Sequence, residues 1–278
     1  MNVIDFHTHT FPDAIAAKAI AGMQANSHAA AFGTGTLAGL LDSMERSDIA
    51  RSVVLPVATN PLKISSINDA NLSRKKSQHV VFFGAMHPLA ENWKDELDRL
   101  HAAGVPGIKI HPQYQGVDIT DIRYLRILDY AAGLGLLTVM HAGDEIAYPG
   151  VVRCSPEMVR SVCDQLGNIP LVLAHMGGWK NWERVAENLC HTGCYLDTAI
   201  SLGQIVPIDD HYSPGDLPLL NAEDFVSLVR AFGSRRILFG TDSPWADQAE
   251  EVRKITSLPL EPTEIENILH HNATRLLG

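Results

Sequence analysis

The sequence has few cysteines and no long apolar run. These two features argue against a disulfide-rich secreted domain and against a membrane-spanning protein. Its 278 residues contain four cysteines, Cys154, Cys163, Cys190 and Cys194, too few for the disulfide framework of a small secreted domain. Cys190 and Cys194 could form half of a zinc finger, but no second Cys/His pair follows at finger-like spacing, so we interpret all four as ordinary thiols. The longest apolar stretch, residues 131–140, falls well short of the roughly 20 residues that span a bilayer.

Positive charge is also scarce. The chain has 22 Lys and Arg against 32 Asp and Glu, a formal net charge of −10, and its longest basic run is the triplet Arg74-Lys75-Lys76. A polyanion is repelled by such a surface, so we predict no nucleic-acid partner. The start of the chain has no basic and apolar leader, and we expect a cytoplasmic protein without membrane attachment.

Short apolar, β-rich runs recur along the whole chain, which is 46% hydrophobic. Most are nearly continuous in Val, Ile, Leu and Phe, as in parallel strands covered on both faces. The eight runs are Val3–His9, Ser52–Val57, Val80–Met86, Gly107–His111, Leu136–His141, Pro170–His175, Cys194–Ala199 and Arg236–Thr241.

Segments with helical periodicity lie between these runs, around Trp93, Ile122 and Phe225 and in a terminal helix from Pro262 to Leu277. Alternation of eight strands with helices, without a linker, predicts a (β/α)₈ TIM barrel formed as a single domain by residues 1–278. A doubly wound sheet is the structural alternative. It more often begins with a glycine-rich turn, whereas the first strand here ends in His-Thr-His.

Metal-binding side chains stand where the predicted strands end. All strand C-termini of a parallel barrel point to one face, so residues far apart in sequence converge there. The residues at strand ends are His7, His9, His111, His141 and His175, with Asp242 after the eighth strand. His7 and His9 are two apart, so both imidazoles project to the same side and can bind one ion. Imidazoles and a carboxylate are suitable ligands for a divalent cation. Zn²⁺ is the predicted ion, and Mn²⁺, Fe²⁺, Co²⁺ and Ni²⁺ are alternatives.

An ordered set of six segments resembles a known family. The chain is similar to the amidohydrolase-related branch of the amidohydrolase superfamily, which includes aminocarboxymuconate-semialdehyde decarboxylase, resorcylate decarboxylases and presumed hydrolases. The segments are Asp5-Phe6-His7-Thr8-His9, Lys109-Ile110-His111-Pro112, His141-Ala142-Gly143, Ala174-His175-Met176-Gly177-Gly178, Phe239-Gly240-Thr241-Asp242-Ser243-Pro244 and Asn272-Ala273-Thr274-Arg275-Leu276-Leu277.

The resemblance implies roles for individual residues. It implies His7, His9, His141 and Asp242 as metal ligands, with Asp242 also accepting the proton of the attacking water. It implies His175 as the residue that polarises the substrate or moves a proton. One metal ion is favoured; in two-metal relatives a modified Lys at the fourth strand bridges two ions, and Lys109 is the residue in that position.

Further residues are predicted to contact the substrate. Lys109 and His111 can bind an anionic or carbonyl group. Arg153 can pair with a carboxylate, and Trp179 and Trp245 can contact an aromatic group. We therefore predict a small anionic or aromatic substrate.

Hydrolysis of an amide, ester or lactone is the predicted reaction, because it is the commonest chemistry of the superfamily. Non-oxidative decarboxylation of a small aromatic or unsaturated acid is the alternative, and a metal-binding barrel without catalysis is a third interpretation. Relatives are often dimers, so a homodimer is an open alternative for the assembly. Asp197, on the seventh strand, is interpreted as orienting a neighbouring side chain rather than as a ligand.

Overall fold

A computed structural model describes residues 2–74 and 77–278, so Lys75 and Lys76 of the basic triplet lie outside the described residues. The strands within this part of the chain are β1 Val3–Thr8, β2 Ile49–Val54, β3 Val80–Phe82, β4 Gly84–Ala85, β5 Gly107–Ile110, β6 Leu137–Met140, β7 Leu171–Leu173, β8 Tyr195–Asp197 and β9 Ile237–Leu238. The helices are α1 Asp13–Ser27, α2 Leu37–Arg46, α3 Ile64–Leu72, α4 Trp93–Ala102, α5 Pro112–Gln115, α6 Ile122–Gly133, α7 Pro156–Leu166, α8 Val185–Leu189, α9 Ala222–Phe232, α10 Gln248–Thr256, α11 Pro262–Glu266 and α12 Asn272–Leu277.

Seven of the eight predicted apolar runs contain a strand, the third of them two, β3 and β4, and the run Ser52–Val57 overlaps β2, which begins three residues earlier. Periodicity also located α4, α6 and α9, while the predicted terminal helix is α11 and α12 joined by a π-helical turn at Asn267–His271. The helix α3 begins inside the stretch 60–66, where the sequence shows no clear periodicity. No helix in the described part of the chain is long and apolar enough to cross a membrane.

The described chain divides into two compact units. The first unit contains the residues up to Val54, the short segment Ile146–Pro149 and the residues from Asp197 onward. Within it, β1 and β2 pair in parallel, the Phe6 N–H donates to the Phe239 carbonyl, and the Thr198 N–H donates to the Leu238 carbonyl. These bonds place the C-terminal ends of β1 and β9 side by side.

The second unit consists of Leu55–Glu145 and Gly150–Leu196. Its strands β4, β5, β6 and β7 and the first two residues of β8 pair in parallel in chain order. Their side chains are almost entirely buried, which explains the continuous apolar runs of the sequence. Because the strands are parallel, the residues that follow β5, β6 and β7 lie along one edge. His111 and His141 directly follow β5 and β6, and His175 is the second residue after β7.

Candidate functional site

Three of the four predicted metal ligands meet at the end of β1. The His7 Nε2 and His9 Nε2 atoms are 3.2 Å apart. Asp242 Oδ1 lies 3.1 Å from His7 Nε2 and 2.9 Å from His9 Nε2. The two imidazoles of the His-Thr-His sequence therefore project to one side, as strand geometry requires. We refer to His7, His9 and Asp242 as the first cluster.

A buried carboxylate fixes the orientation of the His7 ring. Asp197 Oδ2 lies 2.8 Å from His7 Nδ1, and both side chains are buried. An ionised carboxylate only accepts hydrogen bonds, so the proton of the ring is on Nδ1 and Nε2 presents a lone pair to the cluster. Such a carboxylate–histidine pair is the usual support of a metal-ligating imidazole.

The donor atoms of the first cluster fit a divalent cation. Metal–ligand bonds of about 2.0–2.2 Å at angles between about 90° and 110° place neighbouring ligand atoms about 2.8–3.6 Å apart. The three distances of the cluster, 2.9, 3.1 and 3.2 Å, lie within this interval. The lone pairs of His7 Nε2 and Asp242 Oδ1 repel each other at 3.1 Å unless a proton, such as one on His9 Nε2, or a cation lies among the three atoms.

Asp5 supports the cluster from inside β1. Its carboxyl accepts hydrogen bonds from the Thr241 hydroxyl at 2.6 Å, from the Gln248 amide at 2.7 Å and from the backbone N–H groups of Thr241 and His7 at 3.1 Å. Burial raises the pKa of Asp5 to about 6, although these hydrogen bonds favour the charged form. Asp5 thus connects β1 to the segment that carries Asp242, and it is a structural support rather than part of the ligand triangle.

The backbone brings Asp242 to the cluster in a rarely adopted conformation. Asp242 has φ of +67°, a left-handed value that costs about 1–3 kcal/mol in a residue other than glycine. Its N–H donates to the His7 carbonyl at 2.8 Å. Gly240 precedes it, and a Cβ atom at Gly240 would lie 2.8 Å from the His7 Cβ. A glycine is required there because any side chain would displace His7.

A cleft opens beside His9 in the first unit. It is lined by the segment Phe32–Thr36, by Leu40 and Ser43 of α2, and by Asp247. The sequence offered no signal for this cleft, because Phe32–Thr36 has neither helical nor strand periodicity.

A second cluster of titratable side chains occupies the strand ends of the second unit. The His111 and His141 rings stack with their centroids 4.1 Å apart, and Glu145 Oε2 lies 3.6 Å from the Nε2 atom of each. The Tyr114 hydroxyl donates to Glu145 Oε1 at 3.1 Å. His175 Nε2 lies 3.0 Å from His141 Nδ1. We refer to His111, His141, His175 and Glu145 as the second cluster.

Hydrogen bonds assign the protons of two of these rings. His141 Nε2 lies 3.0 Å from the carbonyl oxygen of Asp144, which only accepts, so His141 carries its proton on Nε2. Its Nδ1 atom therefore accepts, and His175 Nε2 is the donor of the bond between the two rings. His175 has φ of +60°. It shares this left-handed conformation with Asp242, the other predicted catalytic residue.

The loop that follows His141 packs closely against the loop that follows His175 and is hydrogen-bonded to it. Gly143 has φ of +89°, and a Cβ atom there would lie 2.2 Å from the Trp179 N atom. The Trp179 N–H donates to the Ala142 carbonyl at 3.1 Å, and the Trp179 carbonyl accepts from Asp144 at 3.0 Å. Trp179 is buried. These contacts fix both loops at the edge of the sheet.

The remaining predicted substrate residues have different surroundings. Lys109 on β5 is fully buried. The Arg153 guanidinium donates to the Asp118 carboxylate at 2.8 Å. Trp245 is half-buried, and its backbone N–H donates to the Asp242 carbonyl at 2.9 Å. Their assignment to substrate binding stays a prediction.

Sequence reasoning missed Glu145 and Tyr114. Glu145 is four residues after His141, and its carboxyl is buried against two imidazoles. An acid four residues beyond a histidine at a strand end was the available signal. Tyr114 stacks on His111 at 3.9 Å, which follows from the short helix α5 that begins at Pro112.

Comparison with solved structures identifies the fold. The chain superimposes on a TIM-barrel protein of Bordetella bronchiseptica with a TM-score of 0.77 and 17% identity, covering 100% of this chain and 98% of that one. The chain also superimposes on a dihydroxybenzoic acid decarboxylase of Polaromonas, solved with manganese and the inhibitor 2-nitroresorcinol. The TM-score is 0.70 and the identity 14%, and the alignment covers 100% of this chain and 97% of that one. For a candidate 2-pyrone-4,6-dicarboxylic acid hydrolase of Pseudomonas putida, the TM-score is 0.64 and the identity 14%. The alignment covers 100% of this chain and 97% of that one. The predicted TIM-barrel fold is confirmed by these similarities.

Sequence comparison identifies the family. No curated protein matches the chain significantly. The sequence model described as Amidohydrolase matches residues 4–278, which includes every motif on which the resemblance was based. The chain therefore belongs to the amidohydrolase family.

Proposed function

We propose that this amidohydrolase-superfamily enzyme binds one divalent metal ion at the first cluster and hydrolyses a small amide, ester or lactone. The observation that carries the proposal is the convergence of His7 Nε2, His9 Nε2 and Asp242 Oδ1 within 3.2 Å of one another. The assignment of His141 as a further ligand stays a prediction from the resemblance.

Two imidazole nitrogens and one carboxylate oxygen suit Zn²⁺, and Mn²⁺ accepts the same donors. A divalent ion held there supplies Lewis-acid polarisation and lowers the pKa of coordinated water. Asp197 keeps the His7 proton on Nδ1, so that the ligand nitrogen stays available.

The chain's own residues supply the proton transfers. Asp242 accepts the proton of the attacking water, a general-base role. His175 holds a proton on Nε2, as its hydrogen bond to His141 indicates, and is the donor to the leaving group. The buried ammonium of Lys109 and the imidazole of His111 are assigned to an anionic or carbonyl group of the substrate.

Decarboxylation of a small aromatic acid is the second candidate. It is favoured by the likeness to the dihydroxybenzoic acid decarboxylase of Polaromonas that contains manganese. In this reaction the same ligands hold the ion, and a protonated side chain delivers a proton to the carbon that loses CO₂.

Metal analysis combined with product analysis tests both candidates. We expect purified protein to contain one divalent ion per chain and to convert members of a panel of lactones, amides and aromatic acids. Release of CO₂ with uptake of a solvent proton would identify a decarboxylase, and a new carboxyl group without CO₂ would identify a hydrolase.

Matched variants complete this test. His9→Gln is expected to remove the ion and the activity, whereas His271→Gln, at an exposed histidine near the C-terminus, keeps both. Wild-type protein that binds no divalent ion, or His9→Gln with full activity, would refute the proposal.

A further inference from the structure

Two cysteine thiols of the second unit lie in contact although they are far apart in the sequence. Cys163 belongs to α7, and Cys194 is the residue before β8. Their Sγ atoms are 3.7 Å apart, although the residues are separated by 31 positions, and no disulfide joins them. A disulfide has an S–S length of about 2.05 Å, so bond formation requires an approach of roughly 1.7 Å. Rotation of the two short side chains can supply part of that approach.

The two thiols differ in their exposure to solvent. Cys163 is half-buried, whereas Cys194 is buried. Contact with Cys194 lowers the pKa of the Cys163 thiol, against the opposing effect of burial; the neighbouring Asp164 raises it and Arg160 lowers it. Cys163 is thus the more accessible of the two sulfurs, and its lowered pKa increases the fraction of thiolate, the form that attacks a disulfide.

We propose that Cys163 and Cys194 form a reversible dithiol–disulfide site, oxidised by a small disulfide such as oxidised glutathione. The Cys163 thiolate attacks one sulfur of the small disulfide, forms a mixed disulfide and expels one thiolate. The Cys194 thiolate then attacks Cys163 Sγ and expels the second thiolate. Two protein thiols are oxidised by two electrons, the small disulfide is reduced to two thiols, and both protons pass to the released thiolates.

Cys154 has different surroundings. Burial raises the pKa of Cys154 to about 12, and its Sγ donates to Met140 Sδ at 3.6 Å. Cys154 is therefore unreactive toward small disulfides. Cys190, at the C-terminal end of α8, is four positions from Cys194 and is the competing partner that the experiment must distinguish.

The bond would join α7 to the chain that enters β8. Closing a loop of this length restricts the unfolded chain, and we expect the melting temperature of the oxidised protein to rise by about 3–10 °C. Treatment with dithiothreitol reverses the shift.

Thiol counting with peptide mapping tests the proposal on the full-length chain. After incubation with oxidised glutathione and removal of the excess, wild-type protein is expected to retain two of its four titratable thiols under denaturing conditions. Mass spectrometry without reduction is expected to find a peptide that links Cys163 to Cys194. Retention of all four thiols, or a linked peptide containing Cys190, would overturn the proposal.

Single variants provide the controls. Cys154→Ser and Cys190→Ser are expected to lose two thiols as wild type does, and to show the same linked peptide. Cys163→Ser, at a half-buried position that tolerates a polar group, is expected to form no internal disulfide. Loss of a thiol pair in Cys163→Ser, or protection of Cys190→Ser from oxidation, contradicts the assigned pairing.

Discussion

The two histidine clusters contain the same residue types but differ in how their protons are arranged. In the first cluster, Asp197 fixes the His7 proton on Nδ1, and the His7 Nε2, His9 Nε2 and Asp242 Oδ1 atoms face one another within 3.2 Å. In the second cluster, His175 donates to His141 at 3.0 Å, and the Glu145 carboxyl is 3.6 Å from the nearest imidazole nitrogens. Three nitrogen and oxygen ligand atoms that converge on one point favour a cation, whereas a hydrogen-bonded pair of imidazoles favours a proton or a polar substrate group.

The largest expected contrast is in metal content. Asp242→Asn replaces an anionic ligand by a neutral amide and is expected to lower metal affinity about 10³-fold or more, with loss of activity. Glu145→Gln is expected to leave metal stoichiometry unchanged while lowering turnover. Mass-spectrometric metal analysis of both proteins checks this. Loss of an ion from Glu145→Gln would show that the second cluster also binds metal.

The support of His7 is tested by Asp197→Asn. An amide oxygen accepts the Nδ1 proton less strongly, so we expect metal affinity to fall about 10–100-fold while the melting temperature changes little. Competition with a chelator measures the affinity. Asp209→Asn is the control, because Asp209 Oδ2 is also 2.8 Å from a histidine Nδ1, that of His28, on the exposed surface. Equal effects of the two substitutions would contradict the positioning role of Asp197.

Gly240→Ala tests the steric requirement of the first cluster. The added Cβ would lie 2.8 Å from the His7 Cβ and 3.4 Å from the Asp197 Cβ. We expect destabilisation of about 1–3 kcal/mol, with metal affinity reduced about tenfold. The control is Gly22→Ala in α1, where no atom lies within 4 Å of the new Cβ, and helix propensity predicts a gain of up to about 1 kcal/mol. Chemical denaturation measures both, and an unchanged Gly240→Ala protein would show that the site adjusts freely.

The buried carboxyl groups of the two units differ as well. In the first unit, burial raises the pKa of Glu251 to about 8, and the nearby charge of Asp5 adds to the effect. In the second unit, burial also opposes ionisation of Glu96, but hydrogen bonds from Arg99, Asn68 and Ser65 outweigh it and lower the pKa. Glu251 is therefore protonated at neutral pH, whereas Glu96 is ionised.

The pH dependence of stability tests this difference. A carboxyl whose pKa is raised by folding stabilises the folded state fully below its unfolded pKa, near 4.5, and loses that contribution as pH rises to about 8. Glu251→Gln removes this loss and is expected to raise the free energy of unfolding by about 1–2 kcal/mol at pH 8 relative to wild type, and by less at pH 5. Denaturation at both pH values checks it. Glu45→Gln, at an exposed residue of α2, serves as control, and parallel profiles for wild type and Glu251→Gln would contradict the assignment.

Much of the first cluster could be predicted, because its signals are local. His7 and His9 share a strand face by period two, and Asp242 follows the last strand run. The start of α3 and the loop Phe32–Thr36 gave no such signal, because residues 60–66 and 32–36 show no clear helical or strand periodicity. Glu145 required knowledge of how the chain turns after β6.

The cysteines show the same division. Spacing alone gave no reason to bring Cys163 and Cys194 together, and sequence reasoning interprets all four cysteines as ordinary thiols, whereas the structure places Cys163 against Cys194. Helix packing against the sheet decides this proximity, and no periodicity within either segment encodes it.

The sequence by itself determined the parallel α/β pattern, the strand ends and the kinds of side chain available there, because periodicity and residue chemistry are local properties. Only the tertiary structure decided which nitrogen of His7 and of His141 carries the proton, through their partners Asp197 and the Asp144 carbonyl. Hydrogen-bond partners that are distant along the chain are chosen by packing, and the chemistry of these histidines depends on that choice.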